Sequence, residues 1–364
     1  MKVTVFGHDA DDAALAKRIG QMRAEGHRVS GLTLRRGPDA PRAWDNTDLG
    51  RTRDGAFGRR LAAIARAAPR AARALGEPDV VWARNLDAAL IARGALAMAR
   101  SRAPLVYECL DVHDLASGAG AAPAMVRGLE RRVLDRAALT VVSSPAFARA
   151  HFAPRYGARA TMVIENRLAM AGLPPRPGPA RPDRPLTVGW FGVLRCARSL
   201  DLLLGATGAA GARLITAGRV AADRLPDFAG RIADAPHAAH LGAYRAPDDL
   251  AALYARADVV WAGDWFQAGA NSRWLLPNRL YEGGWFGAPA LAPPGTETAR
   301  WIAQNGTGLV VGEDALPEAL RGLAGRRLAD LRARVRAAPD ALFAAPRGEV
   351  TTALERAAGR RAGC

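Results

Sequence analysis

The sequence predicts an α/β protein of two domains, each a parallel sheet covered on both faces by helices. Three observations carry this. Short β-rich runs alternate with helical stretches through most of the chain. The alternation breaks once, at a proline-rich stretch from 171 to 185, and then restarts. The chain has 364 residues, enough for two hydrophobic cores.

In order, Val3–Phe6 reads as a strand, and Asp12–Glu25 as a helix closed by Gly26. Val29–Leu34, Val80–Ala83, Leu105–Glu108 and Leu139–Ser143 continue the strands. Leu86–Arg100 and Ala124–Arg136 are the helical stretches between them. The stretch AGLPPRPGPARPDRP carries six prolines in fifteen residues, which neither a helix nor a central strand tolerates. It is read as the linker. Beyond it come strands at Leu186–Phe191, Arg213–Ala217, Asp258–Ala262, Pro289–Ala292 and Gly308–Val311. Helices are expected at Ser199–Gly205, Pro247–Arg256, Asn278–Phe286 and Thr296–Asn305, and the tail from Leu316 is helical. Ligands of such sheets sit at the carboxyl ends of the strands, and a cleft is expected between the two domains.

Composition narrows the class. The hydrophobic fraction is 49% and the charged fraction 24%, both globular values. No run approaches the roughly 20 apolar residues of a membrane span. The opening MKVTVFGHD enters a strand pattern directly, without a signal peptide. Cys109, Cys196 and Cys364 are odd in number and far apart, which suits a reduced cytosolic chain without metal spacing. The net charge is +16, and Lys occurs only at positions 2 and 17, so nearly all of it is Arg. Compositional drift toward Ala, Arg, Gly and Pro accounts for that without a function. The functional alternatives are an anionic membrane surface, phosphorylated substrates or nucleic acid. Nucleic acid is disfavoured, because there is no basic tail, RNA-binding signature or zinc-finger spacing.

The richest stretch is AGANSRWLLPNRLYEGGWFGAP, from Ala268 to Pro289. Pro277 reads as a loop residue before a helix that Asn278 caps. Amides at such a start, with the helix dipole, favour an anion. Glu282 lies about one turn further, on the same face, where a carboxylate accepts hydrogen bonds from hydroxyls such as those of a ribose. Phosphate and diol together indicate a nucleotide. The alternative is an ordinary surface helix after a loop.

Here the residues resemble a known family. LTVGWFGVLRCARSLDLLL, LGAYRAPDDLAALYARADVVW and LPNRLYEGGWFGAPALAPPGTETARWI follow in the order seen in the nucleotide-sugar half of family 4 glycosyltransferases, a retaining group of GT-B fold. EGHRV, VYECLDVHDL, LERRVLDRAALTVVSSPAF and IENRL resemble landmarks of the first half more loosely. The resemblance implies two Rossmann-like domains facing across a cleft. The acceptor-side domain would be 1–170, the linker 171–185, and the nucleotide-sugar domain 186–345. A final helix within 346–364 would cross back to the first domain.

The resemblance also implies roles. A transferase of this kind must neutralise a leaving diphosphate with fixed cations and amides. In the family a basic pair after the first strand of the second domain contacts the diphosphate. Arg198 stands where a Lys is usual, and Arg195 is shifted by two from the usual Arg; arginines bind phosphate through paired hydrogen bonds. The alternative for both is two solvated loop arginines. Glu282 matches the second, ribose-binding Glu of the Glu-x7-Glu motif. The first falls on Trp274, a departure that bears on the donor sugar. A Trp stacks on a sugar face, and Asn271, Ser272 and Arg273 are polar substitutes. Pro277 to Glu282 also fits a Pro-x-Lys/Arg-x-Tyr-Glu form, which makes Arg279 a third phosphate candidate beside Asn278.

In the first half, His113, between Asp111 and Asp114, belongs to a loop at a strand's carboxyl end. There it or Asp111 would orient a sugar or an acceptor hydroxyl, against a structural histidine as the alternative. His8 and Asp9 follow the first strand on the acceptor side, or lead into a helix cap at Asp12. Asp54–Leu75 places Arg59, Arg66, Arg70 and Arg73 near one helical face, suited to an anionic membrane, although Pro69 interrupts it. A plain packed surface helix is the alternative there. The reading is therefore a cytosolic glycosyltransferase, peripheral on the inner face of the membrane, that uses a nucleotide sugar as co-substrate. It requires no cofactor and no metal. Its acceptor is lipid-linked or a glycan, in surface polysaccharide assembly. A nucleotide-sugar epimerase of the same fold and a non-catalytic sugar- or nucleotide-binding module are the alternatives.

Overall fold

A computed structural model describes residues 1–35, 44–52, 57–112, 118, 120–170, 172–177, 185–323 and 325–359, with the side chains of 57–59 outside that description. The chain divides into two compact units. The first is Met1–Glu165 with Pro346–Cys364, and the second is Asn166–Ala345.

The first unit holds a seven-stranded sheet of β1 (Lys2–Gly7), β2 (Arg28–Arg35), β3 (Asn46–Arg51), β4 (Val80–Arg84), β5 (Leu105–Cys109), β6 (Ala137–Val142) and β7 (Thr161–Val163). Their order is β3-β2-β1-β4-β5-β6-β7, and every pairing is parallel. The order reverses between β1 and β4, the switch point at which such sheets bind ligands. The strands β4 and β5 are buried along their whole length, as doubly covered strands must be. The β3 strand lies at the edge with a polar sequence, NTDLGR, so no apolar run betrays it.

The helices flanking these strands include α1 (Ala13–Ala24), α2 (Phe57–Ala74), α3 (Asn85–Met98) and α4 (Ala121–Leu134). Asp12 caps α1 by accepting from the Leu15 amide at 2.6 Å. The α2 helix runs through Pro69 without a break, contrary to the interruption expected there. Its buried stripe is Ala63, Ala67 and Ala71, and Gly94 of α3 lets the helices close, since a Cβ there would sit 3.1 Å from that of Ala68. Arg66, Arg70 and Arg73 stay exposed. The C-terminal helix, Glu349–Gly359, buries Val350, Ala353, Leu354 and Ala357 in this unit's core. Glu25 accepts from the Thr351 amide and hydroxyl at 2.7 and 2.6 Å.

Two buried acids organise the polar interior of this unit. Glu108 is 1% exposed and accepts from Arg18, Arg84 and the Trp82 indole at 2.7–3.1 Å. Burial would raise its carboxyl, and the two guanidinium charges more than reverse that, holding it well below the usual range. Glu130 accepts from Tyr107 and Tyr156 at 2.9 and 2.6 Å, with His151 Nε2 at 2.7 Å. Burial opposes its ionised form, and His151 together with the two tyrosine hydroxyls outweighs it, so this carboxyl is also depressed.

The second unit begins with β8 (Leu168–Ala169). Its six-stranded sheet is β9 (Thr187–Phe191), β10 (Arg213–Ala217), β11 (Ala238–His240), β12 (Val259–Trp261), β13 (Ala290–Ala292) and β14 (Gly308–Val310). The order is β11-β10-β9-β12-β13-β14, again all parallel, with the switch point between β9 and β12. The helices that matter below are α5 (Ala197–Ala210), α6 (Leu250–Tyr254), α7 (Asn278–Trp285) and α8 (Glu297–Asn305). A short strand, β15 (Ala344–Ala345), pairs with β8. The described part of the proline-rich stretch lies on this unit: Arg176 donates to the carbonyls of Val335 and Ala338, and the Pro174 carbonyl accepts from Trp285. Among the described residues no helix is long and apolar enough to cross a membrane.

A depressed carboxyl contributes stability above its ordinary value, near 4.5, that is lost as pH falls through the native one. Glu130→Gln is expected to lower stability at pH 7 by about 1–3 kcal/mol. The gap to wild type should shrink as the pH is taken below the ordinary carboxylate range. Urea unfolding at neutral and acid pH measures both, and a gap that does not change with pH would refute the assignment.

Candidate functional site

The second unit's switch point is built from glycine-ended strands. β9, β10 and β11 lead into Gly192, Gly218 and Gly242, with φ of 116°, 120° and 80°. A Cβ at Gly218 would lie 2.0 Å from the Gly192 carbonyl oxygen, so only glycine allows these strand ends to touch. The Gly192 amide donates to Ala217 at 3.0 Å and that of Gly218 to Gly242 at 2.8 Å.

The α7 helix docks on this ledge because it carries two glycines at its centre. A Cβ on Gly283 would meet Val260 Cγ2 at 2.7 Å and the Ala288 carbonyl at 2.9 Å. One on Gly284 would meet the Phe343 ring at 2.0 Å. Pressed against β12 and Phe343, the helix aims Arg279 at the switch point. Its guanidinium, 9% exposed, donates to the carbonyls of Phe191 at 3.2 Å and Gly263 at 3.0 Å, beyond the ends of β9 and β12. No ion pair forms with it among the described residues, and its Nε has no hydrogen-bond partner. Burial lowers its proton affinity, against the attraction of Asp264, the buried Tyr254 and the partly buried Tyr244.

Glu282 lies one residue short of a full turn further and is 7% exposed. The Tyr254 hydroxyl donates to its Oε2 at 2.7 Å. Tyr244 lies near enough that Glu282, after burial, raises its phenol. Neither tyrosine follows from sequence reasoning. Tyr254 falls within a segment that the resemblance covers, yet only the folded chain shows which carboxylate its hydroxyl meets.

The remaining expected residues divide. Asn278 is not the cap: Pro277 occupies that position with an extended backbone, and no side chain caps the helix. A proline already fixed in φ starts the helix, which places Asn278 first inside it. Asn278 is exposed and accepts from Asn166 at 2.7 Å. Arg195 lies 3.6 Å from Asp264 and stacks on Phe266 at 4.6 Å. Arg198 makes a bidentate pair with Glu313 at 2.9 and 2.5 Å and covers Trp265 at 4.7 Å. Trp274 ends a single turn, Asn271–Trp274, and is partly buried; Asn271 is buried and donates to Gln267 at 2.6 Å. Asp264 is a further acidic group at this strand end, accepting from the Phe266 amide at 2.7 Å.

In the first unit, Asp111 is exposed in a loop fixed from both sides. Asn85, with a left-handed φ of 64°, accepts from the Leu110 amide at 3.1 Å, and Ser143 donates to the Leu110 carbonyl at 3.0 Å. His113 lies outside the described residues. His8 and Asp9 are partly buried in the loop after β1, where Asp9 accepts from the Asp11 amide at 3.1 Å.

Two Rossmann-ordered units in one chain, the second with an arginine and a glutamate together at its switch point, define the class as GT-B glycosyltransferases. Residues 15–167 match the family described as "Glycosyl transferase 4-like domain". The succinoglycan biosynthesis protein ExoL of Rhizobium meliloti (strain 1021) is 39% identical over 326 residues, 85% of this chain and 81% of that protein. The chain belongs to the family 4-like glycosyltransferases. HepE of Anabaena, solved with UDP and glucose, is similar in fold at TM-score 0.74 and 16% identity over 100% of both chains. The lipopolysaccharide outer core galactosyltransferase WaaB gives TM-score 0.66 at 13% identity over 97% of this chain and 99% of its own.

Arg279→Ala leaves two buried carbonyls without donors and is expected to cost about 2–4 kcal/mol of stability. Arg279→Lys keeps the charge without the fork and should recover less than half of that. Denaturant unfolding of the three proteins reads this directly, and an alanine variant as stable as wild type would overturn the clamp.

Proposed function

We propose that the chain transfers a sugar from a uridine diphosphate sugar to a lipid-linked or glycan acceptor in surface polysaccharide assembly, with retention at the anomeric carbon. The observation that carries the donor half is the pairing on α7. Arg279 brings a buried guanidinium, without an ion pair among the described residues, to the strand ends, and Glu282 stands beside it on the same helix. A leaving diphosphate needs fixed positive charge that does not reorganise during reaction. A ribose diol needs an acceptor such as Glu282. Arg195 and Arg198 flank this region on ring faces, and a diphosphate would draw them from Asp264 and Glu313, which they now face. The fold neighbour HepE was solved with UDP and glucose, which favours uridine as the base. The relative ExoL is named for succinoglycan biosynthesis, which favours polysaccharide assembly.

The acceptor half would involve Asp111, His113, His8 and Asp9 of the first unit. His113 or Asp111 would orient the acceptor hydroxyl, and Trp274 with Asn271 would face the donor sugar. Arg66, Arg70 and Arg73 on the exposed side of α2 would hold the enzyme at an anionic membrane surface, each cation near the surface contributing about 1 kcal/mol.

Isothermal calorimetry with UDP tests the donor reading: wild type should bind, and Glu282→Ala should weaken binding by roughly tenfold or more. Equal affinity in the two proteins would sink it. For the membrane reading, flotation with phosphatidylglycerol vesicles should fall when Arg66, Arg70 and Arg73 are replaced together by Gln, and no fall refutes it.

A further inference from the structure

We infer that Tyr254 is a positioning residue for nucleotide binding: its buried phenol fixes the Glu282 carboxylate in the orientation that receives the ribose. This rests on the reading of Glu282 given above. The hydroxyl donates to Oε2 at 2.7 Å, and the two side chains are 1% and 7% exposed. A carboxylate offers about four acceptor sites, so the Tyr254 bond to Oε2 orients the group while occupying only one of them.

The surroundings separate this role from simple filling of the core. The Tyr254 ring packs edge-on against Phe191 at 5.1 Å and stacks on Phe286 at 5.7 Å. A phenylalanine would satisfy both contacts. What the hydroxyl adds is the bond to Glu282, and the chain is shaped to make it. A Cβ on Gly283 would come within 3.6 Å of Tyr254 Cε1 and 2.7 Å of Val260, so the glycine beside Glu282 brings the helix within reach of the phenol. Burial and the facing carboxylate push the phenol far above its ordinary range, so it stays a donor at every physiological pH. Tyr254 also ends α6, immediately before the turn into β12, so the bond ties the carboxylate to the strand beside the switch point.

The test compares UDP with 2′,3′-dideoxy-UDP by calorimetry on the full chain. Wild type should prefer UDP by roughly tenfold or more, the worth of hydrogen bonds to a charged acceptor. Tyr254→Phe should lose most of that preference while binding the dideoxy analogue within about twofold of wild type, with donor KM raised and kcat little changed. In Glu282→Ala, adding Tyr254→Phe should weaken UDP no further, because a residue acting through Glu282 is silent without it. A Tyr254→Phe protein that keeps the wild-type preference overturns the inference, as does one that loses affinity equally for both ligands. A wild type that binds UDP without preferring it over the dideoxy analogue overturns the reading of Glu282, and the inference with it.

Discussion

Each sheet carries an arginine at the point where its strand order reverses, and the two are neutralised differently. Arg84 ends β4 and spends its charge on Glu108, with Asp12 3.6 Å away. Arg279 is clamped by two backbone carbonyls, which supply partial charge only. The dipoles of Phe191 and Gly263 fix its geometry, and Asp264 attracts its charge without forming an ion pair with it among the described residues. That difference closes the polar centre of the first unit, while in the second a guanidinium stands at the strand ends with carbonyl partners, the feature on which the proposed donor site rests.

The rest of the site follows from bringing α7 close enough to make that clamp. Close approach demands the absence of side chains at three places: Gly218 where the strand ends meet, and Gly283 and Gly284 where the helix meets β12 and Phe343. Once the helix is seated, Glu282 accepts from the Tyr254 hydroxyl at 2.7 Å. The membership in the family 4-like glycosyltransferases then acquires a physical content. The second unit is a ledge of strand ends with a guanidinium and a carboxylate on one helix, and its neighbouring arginines rest on aromatic faces and acidic partners.

Much of this was legible in the chain itself. Alternation of apolar runs with helical stretches gave both sheets, because β4, β5 and β9 are buried end to end and their sequences say so. Glu282 stood out as a carboxylate one turn into a helix, and Arg279 through the resemblance of Pro277 to Glu282 to a Pro-x-Lys/Arg-x-Tyr-Glu form. What escaped was set by distance along the chain or by edges. The β3 strand is polar because it lies at a sheet edge, so period and hydropathy are silent. The cap position falls on Pro277 rather than Asn278, because the proline's fixed φ and extended backbone end the loop one residue earlier and leave Asn278 inside the first turn. Glu313 is 115 residues from Arg198, and Tyr254 is 28 from Glu282, separations over which local pattern carries no information. The Asp111 loop was located correctly after a strand, while the hold on it by Asn85 and Ser143 comes from two other strands' ends.

The seating of α7 has a consequence for how this enzyme can change. A helix pressed into backbone on one face and into a phenyl ring on another has no slack volume, so neither sliding nor tilting is available to it. Substitutions should therefore be tolerated least on the face that carries Gly283 and Gly284 and more readily in neighbouring segments such as the single turn from Asn271 to Trp274, a difference in mutability imposed by two missing β-carbons.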